Sequence, residues 1–590
     1  MSDVSSYERP CLKLTSEIVE QSYTGYICLS YCWGGDQRHS TFKSNVSERS
    51  SEGFWPGQQP QTIRDAIKVT RALGFRYLWI DSLCIVQDDK VNKARDISCM
   101  GQVYQHATLL ISTPRARAAG EGFLDHVDID HINISELKEQ IPIRYQRGDI
   151  QGHIILEQWH NGTYYEQFGH KRYSETIHLR AWTMQEHLLS KRILAFGRTG
   201  MRWSCLGGEW FGSHSHSVYT DDSERLHSQS WMECRSTPPA MWPHNDRAFD
   251  EGGEDEGDED VEYREDTQLI YASDDDPAVT CEQEWGRLRK TFSQRYIANV
   301  EDKLPAFSAV AKQFSGRFGN KDSQSCRPSY IAGHWVNHFP TDLLWGSDNW
   351  QSNYGEIEVC HESLPTWSWI STWHVSWDCR IGIHLLEKSE SEDETARLLD
   401  VDVRVAAHGD MYGKIESGKL LLSAKIIPVT LRLHVETDTL GALYAFAMPT
   451  DPDLFAAHSS GEVPGIACDF DTAYQVKWNE ACQRLRDQKM MDDESAHHSE
   501  KDVLEKELHA TELFAVEITR QSRPSPCWDS SRGLIVRLRA SGRHRNREEF
   551  TRIGVFVTGC VERCYSHDFA AEPPEGGTFA NCRRRKIWLV

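Results

Sequence analysis

Between Gln61 and Asp89 the hydrophobic pattern changes period within a single short stretch. Ile63, Ala66, Ile67, Thr70 and Leu73 fall at the i, i+3, i+4, i+7 spacing of one buried helix face. Thr62 is placed to cap that helix with Asp65 three residues on, and Gly74 to end it. Tyr77, Leu78, Trp79 and Ile80 then form a continuous apolar run, as in a strand covered on both faces. The chain leaves the run through Asp81, Ser82, Cys84, Gln87, Asp88 and Asp89. Ligands of open α/β sheets sit at the carboxyl ends of the strands, so this cluster is the first candidate site.

The flanks repeat the alternation. Tyr26 to Tyr31 reads as a strand ending in Cys32-Trp33-Gly34-Gly35. Ile97, Met100, Val103, Tyr104 and Ala107 lie on one helical stripe, followed by a strand from Thr108 to Ser112. The expected unit is β-α-β-α-β, an α/β parallel sheet with right-handed crossovers. Arg180 to Ser190 opens a further helix before a strand from Arg192 to Phe196.

Four blocks, SYCWG, PQTIRDAIKVTRALGFRYLWIDSLCIVQDD, MGQVYQHATLLIST and RAWTMQEHLLSKRILAFG, occur in order across about 180 residues. Together they resemble the heterokaryon-incompatibility (HET) domain of filamentous fungi. YIAGHW at Tyr330–Trp335, DLLW at Asp342–Trp345 and PTWSWIS at Pro365–Ser371 look like segments that accompany it. Gln59-Pro60-Gln61 stands where the family more often has Leu-Pro. The resemblance implies a cell-death effector in non-self recognition between fungal individuals. The layout is more remotely similar to TIR domains, which implies a TIR-like or flavodoxin-like sheet. It also implies an NAD glycohydrolase-like hydrolase, with NAD as substrate rather than resident cofactor.

On that similarity Glu186, four residues after Trp182, is the candidate catalytic carboxylate. Breaking the nicotinamide–ribose bond produces an oxocarbenium-like sugar that a carboxylate can stabilise. Ser30, Tyr31, Trp33, Gly34, Asp81, Cys84, Gln87, Asp88, Arg180 and Trp182 are the candidate substrate-binding residues. Trp33 or Trp182 would stack a ring, and Arg180 would pair with a phosphate or an Asp. Each has a plainer reading. Trp182 is core, Glu186 a surface partner of Arg180, Lys191 or Arg192, Asp81 a turn residue, Asp88-Asp89 a helix cap. Cys84 is a small buried residue with no histidine placed to activate it. Ser30 and Tyr31 merely finish a strand.

Length and composition add organisation. A chain of 590 residues exceeds one core and divides into two or three domains. The net charge of −23 is concentrated: Asp246 to Asp276 holds 15 acidic residues against Arg247 and Arg264. That tract reads as a disordered acidic insertion. The expected division is a HET domain over 1–204 (core 23–204), an acidic linker over 205–284, and a β-rich α+β region over 285–590. In the last, LLLSAKIIPVTLRL, LFAVEITRQ, GLIVRLRA and TRIGVFVTGC read as strands, and Arg484 to Leu508 as a helical or flexible excursion.

The remaining chemistry is mostly excluded. The 17 cysteines include no C-x-x-C pair, and Cys28/Cys32 and Cys560/Cys564 lie about 13 Å apart if extended. A reduced setting, cytosolic or nuclear and taken as cytoplasmic, and no bound metal are expected. The histidines at 126, 131, 214 and 216 fall in loops. No basic face points to nucleic acid, and no apolar run of about 18 residues points to a membrane. G-x-S-x-G, phosphate-loop, dinucleotide and H-E-x-x-H motifs are missing. The alternative to an enzyme is an adaptor that homo-oligomerises or recruits a regulatory partner through the α/β unit.

Overall fold

The computed structural model describes residues 1–18, 25–35, 38–124, 140–147, 150–157, 176–197, 201–205, 208–211, 280–318, 328–347, 364–372, 375–376, 392–394, 396–406, 410–435, 443–449, 466–470, 512–521, 530–539, 548–557, 579 and 582–590. The acidic tract, the excursion at 484–508 and the four loop histidines lie outside these residues.

The N-terminal half contains β1 (Ser2–Asp3), β2 (Cys11–Leu12), β3 (Tyr26–Ser30), α1 (Val46–Ser51), α2 (Gln61–Ala72), β4 (Tyr77–Trp79), α3 (Asp81–Cys84), α4 (Lys90–His106) and β5 (Leu109–Ser112). A separate hairpin, β6 (Gln140–Arg147) with β7 (Ile150–Glu157), precedes α5 (Ala181–Leu189), β8 (Arg192–Phe196), β9 (Met201–Cys205) and β10 (Gly208–Phe211). The sheet has eight strands in the order β10-β9-β8-β5-β3-β4-β1-β2. Its centre, β4-β3-β5-β8, is parallel, as the alternation predicts. Both margins are antiparallel, making the sheet mixed. The chain steps from β3 to β4 on one side and returns to β5 on the other. That reversal puts the topological switch point between β3 and β5.

Alternate residues of the central strands enter two cores. Ile27, Leu29, Leu78, Ile80 and Ile111 pack with Ile63, Ala66 and Ile67 of α2. Tyr26, Cys28, Tyr77, Trp79 and Leu110 face α4 and α5 through Met100, Tyr104, Met184 and Leu189. Two details of α2 differ from the sequence reading. Leu73 is 44% exposed, because the helix ends there and Gly74 turns the chain at φ +79°. Thr62 is not the cap: Pro60 precedes the first turn, and the Thr62 N–H donates to Ala119 O at 2.9 Å. Asp65 is buried instead and accepts from the N–H groups of Phe123 and Leu124. A neighbouring loop thus satisfies the groups that a local cap would have used.

Two helices after the acidic tract, α6 (Thr280–Ser293) and α7 (Lys303–Phe318), cover α4 and α5. The α4–α7 approach is close enough that a Cβ on Gly101 would lie 2.2 Å from Ala309 Cβ. Beyond them the three Trp-bearing blocks interlock. Trp369 Nε1 donates to Gly333 O at 2.8 Å, Trp345 Nε1 to Trp367 O at 3.1 Å, and Asp342 accepts from Arg289 and His334. Trp285 centres the aromatic packing against Phe307, Phe314 and Trp335.

The C-terminal region is β-rich and forms a barrel. Its longest strand, Ile415–Val435, pairs with Leu443–Pro449 on one side and Leu513–Gln521 on the other. Ile466–Phe470, Glu549–Val557 and Ser530–Leu538 complete the circuit. The four strand segments read from the sequence all contribute to it.

Two glycine-to-alanine changes separate these effects by sign. Gly101→Ala should lower stability by about 1–3 kcal/mol, since Ala309 cannot retreat from a packed helix. Gly286→Ala in α6, where nothing lies within 4 Å, should raise it by about 0.5–1 kcal/mol. Thermal melts of the full chain check both; equal effects would contradict the packing.

Candidate functional site

Helix α5 lies across the carboxyl ends of β3 and β5. Three sets of hydrogen bonds hold it there. His187 Nδ1 is 2.7 Å from Thr183 O, which can only accept, so Nδ1 carries the proton. Nε2 therefore accepts from Ser112 Oγ at 2.8 Å, tying α5 to the last residue of β5. At the other end Arg180 Nη1 donates to Tyr31 O at 2.6 Å, just past β3. Ala181 N donates to Tyr296 O at 2.9 Å, a contact from the far side of the acidic tract.

Asp81 approaches from the end of β4. Its Oδ2 accepts from Trp33 Nε1 at 2.9 Å and its Oδ1 from Ser82 N at 2.7 Å. Tyr31 OH donates to Ser82 Oγ at 2.8 Å, closing the corner. Burial pushes the Asp81 carboxyl up, against the hydrogen bonds of Ser82 and Trp33 and the charge of Arg180.

Glu186 is 5% exposed. Among the described residues it makes no ion pair. Burial first, and then Asp81, push its carboxyl up to about 8. Ser30, Arg180 and Tyr104 act in the opposite sense but do not prevail. The Ser30 and Tyr104 hydroxyls are fully buried and turned to Glu186 as donors, with no other partner, and the buried Gln185 amide completes no hydrogen bond. His187, by contrast, is kept neutral, pushed down to about 3 by burial and by His178. The result is a protonatable carboxyl faced by two buried hydroxyls at the switch point. Among the described residues no group of three or more His, Cys, Asp or Glu is placed to hold a metal ion, and no helix is long and apolar enough to cross a membrane.

Residues 26–186, from the first residue of β3 to Glu186, match the family model for Heterokaryon incompatibility protein (HET). The chain carries a HET domain. It is 27% identical over 194 residues to Heterokaryon incompatibility protein 6, OR allele, of Neurospora crassa, a match covering 28% of this chain and 27% of that protein. The chain therefore spans little more than a quarter of that curated relative. No solved structure matches it.

Within the HET domain, the structure brings Ser30, Tyr31, Trp33, Asp81, Arg180 and Glu186 together. It sets others to framework tasks. Gln87 Nε2 donates to Asp81 O and Ile85 O, bracing the turn after α3. Asp88 accepts from Lys43 N, and Asp89 caps α4 through Asn92 N. Cys84 has Ser2 Oγ and Ile80 N as its hydrogen-bond partners, with no imidazole among them. Trp182 packs against the helical core. Gly34 adopts φ +71° where a Cβ would meet Ala118 at 2.2 Å, so the loop after β3 needs glycine. Arg180 reaches a backbone carbonyl rather than an Asp.

Sequence reasoning passed over Ser112, His187 and the hydroxyl of Tyr104. Ser112 was visible only as a strand end, His187 only as the neighbour of Glu186, and Tyr104 only as core.

The electrostatics set a stability test. Because Glu186 titrates higher in the fold than its ordinary 4.5, the stability it contributes is complete below that value and is lost as pH rises through about 8. Glu186→Gln removes this dependence. Above pH 8 the variant should melt about 2 °C or more higher than wild type, and below pH 4 the difference should vanish. A variant destabilised at every pH would contradict the assigned burial cost.

Proposed function

We propose that the chain acts in fungal heterokaryon incompatibility as a cell-death effector, and that its HET domain hydrolyses the nicotinamide–ribose bond of NAD. The family match and the Neurospora crassa relative support a role in heterokaryon incompatibility, and the cell-death output is part of the proposal. The second part rests on one observation: a buried carboxyl with no ion pair stands at the switch point in the parallel centre of a mixed sheet. Structural carboxylates are normally paired when buried, and perturbed ones cluster at functional sites.

The chemistry suits the residues. As the C1′–N bond breaks, the pyridinium takes the bonding electrons and leaves as neutral nicotinamide, so no general acid is required. Positive charge develops on the ribose, and ionised Glu186 stabilises it. Water then adds to C1′ and a proton is released, giving ADP-ribose. Asp81, oriented by Trp33 and Ser82, adds negative potential. Arg180 fixes the start of α5, and Ser30 and Tyr104 offer hydroxyls to the ribose or to Glu186.

The test uses the full chain, because α6 and α7 cover α4 and α5. NAD is followed over time in cells expressing wild type or Glu186→Gln at matched levels. The expected outcome is a fall in NAD preceding loss of viability with wild type, and a rate lower by on the order of a hundredfold in the variant. Death with steady NAD, or death unaffected by the substitution, would favour the adaptor that works by recruiting a partner.

A further inference from the structure

The last strand of the barrel, Arg584–Leu589, pairs with the long strand Ile415–Val435. Ile587 and Leu589 are fully buried, so the alternate residues Arg584 and Lys586 lie on the outer face, where both are exposed. Lys586 is paired with Ser423, and on its other side Ser423 is paired with Arg397, also exposed, from the strand Arg397–Val405. Directly paired residues share a face, so two cations flank one small hydroxyl. Two positions along, Arg584 stands opposite Lys425, a like-charge pairing that costs stability unless an anion relieves it. Lys425 turns aside, donating to Phe579 O at 2.8 Å with Glu517 nearby.

The side chains of Arg397, Arg584 and Lys586 make no ion pair or hydrogen bond among the described residues. Asp400, one row further on beside Leu421, accepts from the N–H of Val401 at 2.9 Å instead. Their neighbours Lys419 and Arg585 are matched, to Glu549 and Glu548. The barrel thus leaves three cations together on one outer face and compensates the cations around them.

We propose that this patch docks the chain's own acidic tract, Asp246–Asp276. Charge and connection both select that occupant. The tract holds 15 acidic residues against two arginines. It ends four positions before Thr280, the first residue of α6. Cys281 of α6 and Ile587 of the last strand belong to one apolar cluster, so the tract is tethered to the body that carries the patch. A tract of this length can span on the order of 100 Å, so reach does not limit it. Tethering supplies an effective concentration of about millimolar. Exposed ion pairs that are each worth little alone then hold together as a set. Docked there, the tract closes the patch to other polyanions. None of this depends on what Glu186 does.

Carbodiimide coupling of the full chain, read by peptide mass spectrometry, joins a lysine to a carboxylate in contact with it. Lys586 is the reporter. It should link to carboxylates of Asp246–Asp276, with a yield that falls about fivefold between about 50 mM and about 500 mM salt as the screening length shortens. Arg397→Glu combined with Arg584→Glu keeps the reporter and should lower the same yield about fivefold at low salt. The Lys419–Glu549 link, from a pair 2.5 Å apart, should form equally in both chains and reports that the barrel is intact. If the substituted chain loses that link, the identity of the Lys586 partner and its salt dependence in wild type decide alone. Mixing unlabelled with 15N-labelled chains separates links within one molecule from links between two. Coupling of Lys586 to Asp400 only, a tract link indifferent to salt or to the two substitutions, or links chiefly between labelled and unlabelled chains would overturn the proposal. The last of these would assign the patch to a second copy.

Discussion

Helix α5 has nine residues, too few to be stable alone in water, so its position is decided by what holds it. Ser112 anchors it to β5 through His187, Tyr31 O receives Arg180, and Tyr296 O receives the first helical N–H. Everything distinctive about the site follows from that placement. With α5 laid across the ends of β3 and β5, Glu186 leaves water and comes within the field of Asp81.

Asp342 offers an internal comparison. Like Glu186 it is deeply buried, and burial alone would push its carboxyl up. Arg289 and His334 outweigh that cost, and it is held well below the usual carboxylate range. Two buried carboxyls in one chain therefore sit at opposite extremes. The difference is pairing: Asp342 has a guanidinium nitrogen shared between its two oxygens and an imidazole, whereas Glu186 has only neutral hydroxyls against it and a more distant guanidinium. That contrast is the reason for proposing Glu186, rather than Asp342, as the functional carboxyl.

The chain beyond the acidic tract contributes more than a neighbour would. Helices α6 and α7 cover the outer side of α4 and α5, so one apolar cluster runs from Tyr26 in β3 to Leu589 near the end of the barrel. The Trp-bearing blocks join within that cluster, where the indole N–H groups of Trp345 and Trp369 close on backbone carbonyls of one another's blocks and that of Trp367 on Gly418 O of the long strand. The family match stops at Glu186, yet the backbone group that receives α5 comes from Tyr296.

The residues alone determined the local periods: the apolar stripes of α2 and α4, the buried runs of β3, β4 and β5, the left-handed turn at Gly74, and the position of Glu186 on a short helix. These are properties of near neighbours, and a two- or 3.6-residue repeat records them directly. The cluster at the end of β4 was legible as a place but not as a set of roles. Asp81 alone among its acidic residues turns to the site, while Asp88 and Asp89 serve the backbone. The strand order, the antiparallel margins, the Ser112–His187 tie and the meeting of Glu186 with Asp81, 105 positions apart in the chain, belong to tertiary structure. No local pattern encodes them, because each depends on which faces find a partner to bury against. A carboxyl's proton affinity is likewise set by the water it has lost and the charges it meets, and the fold decides both.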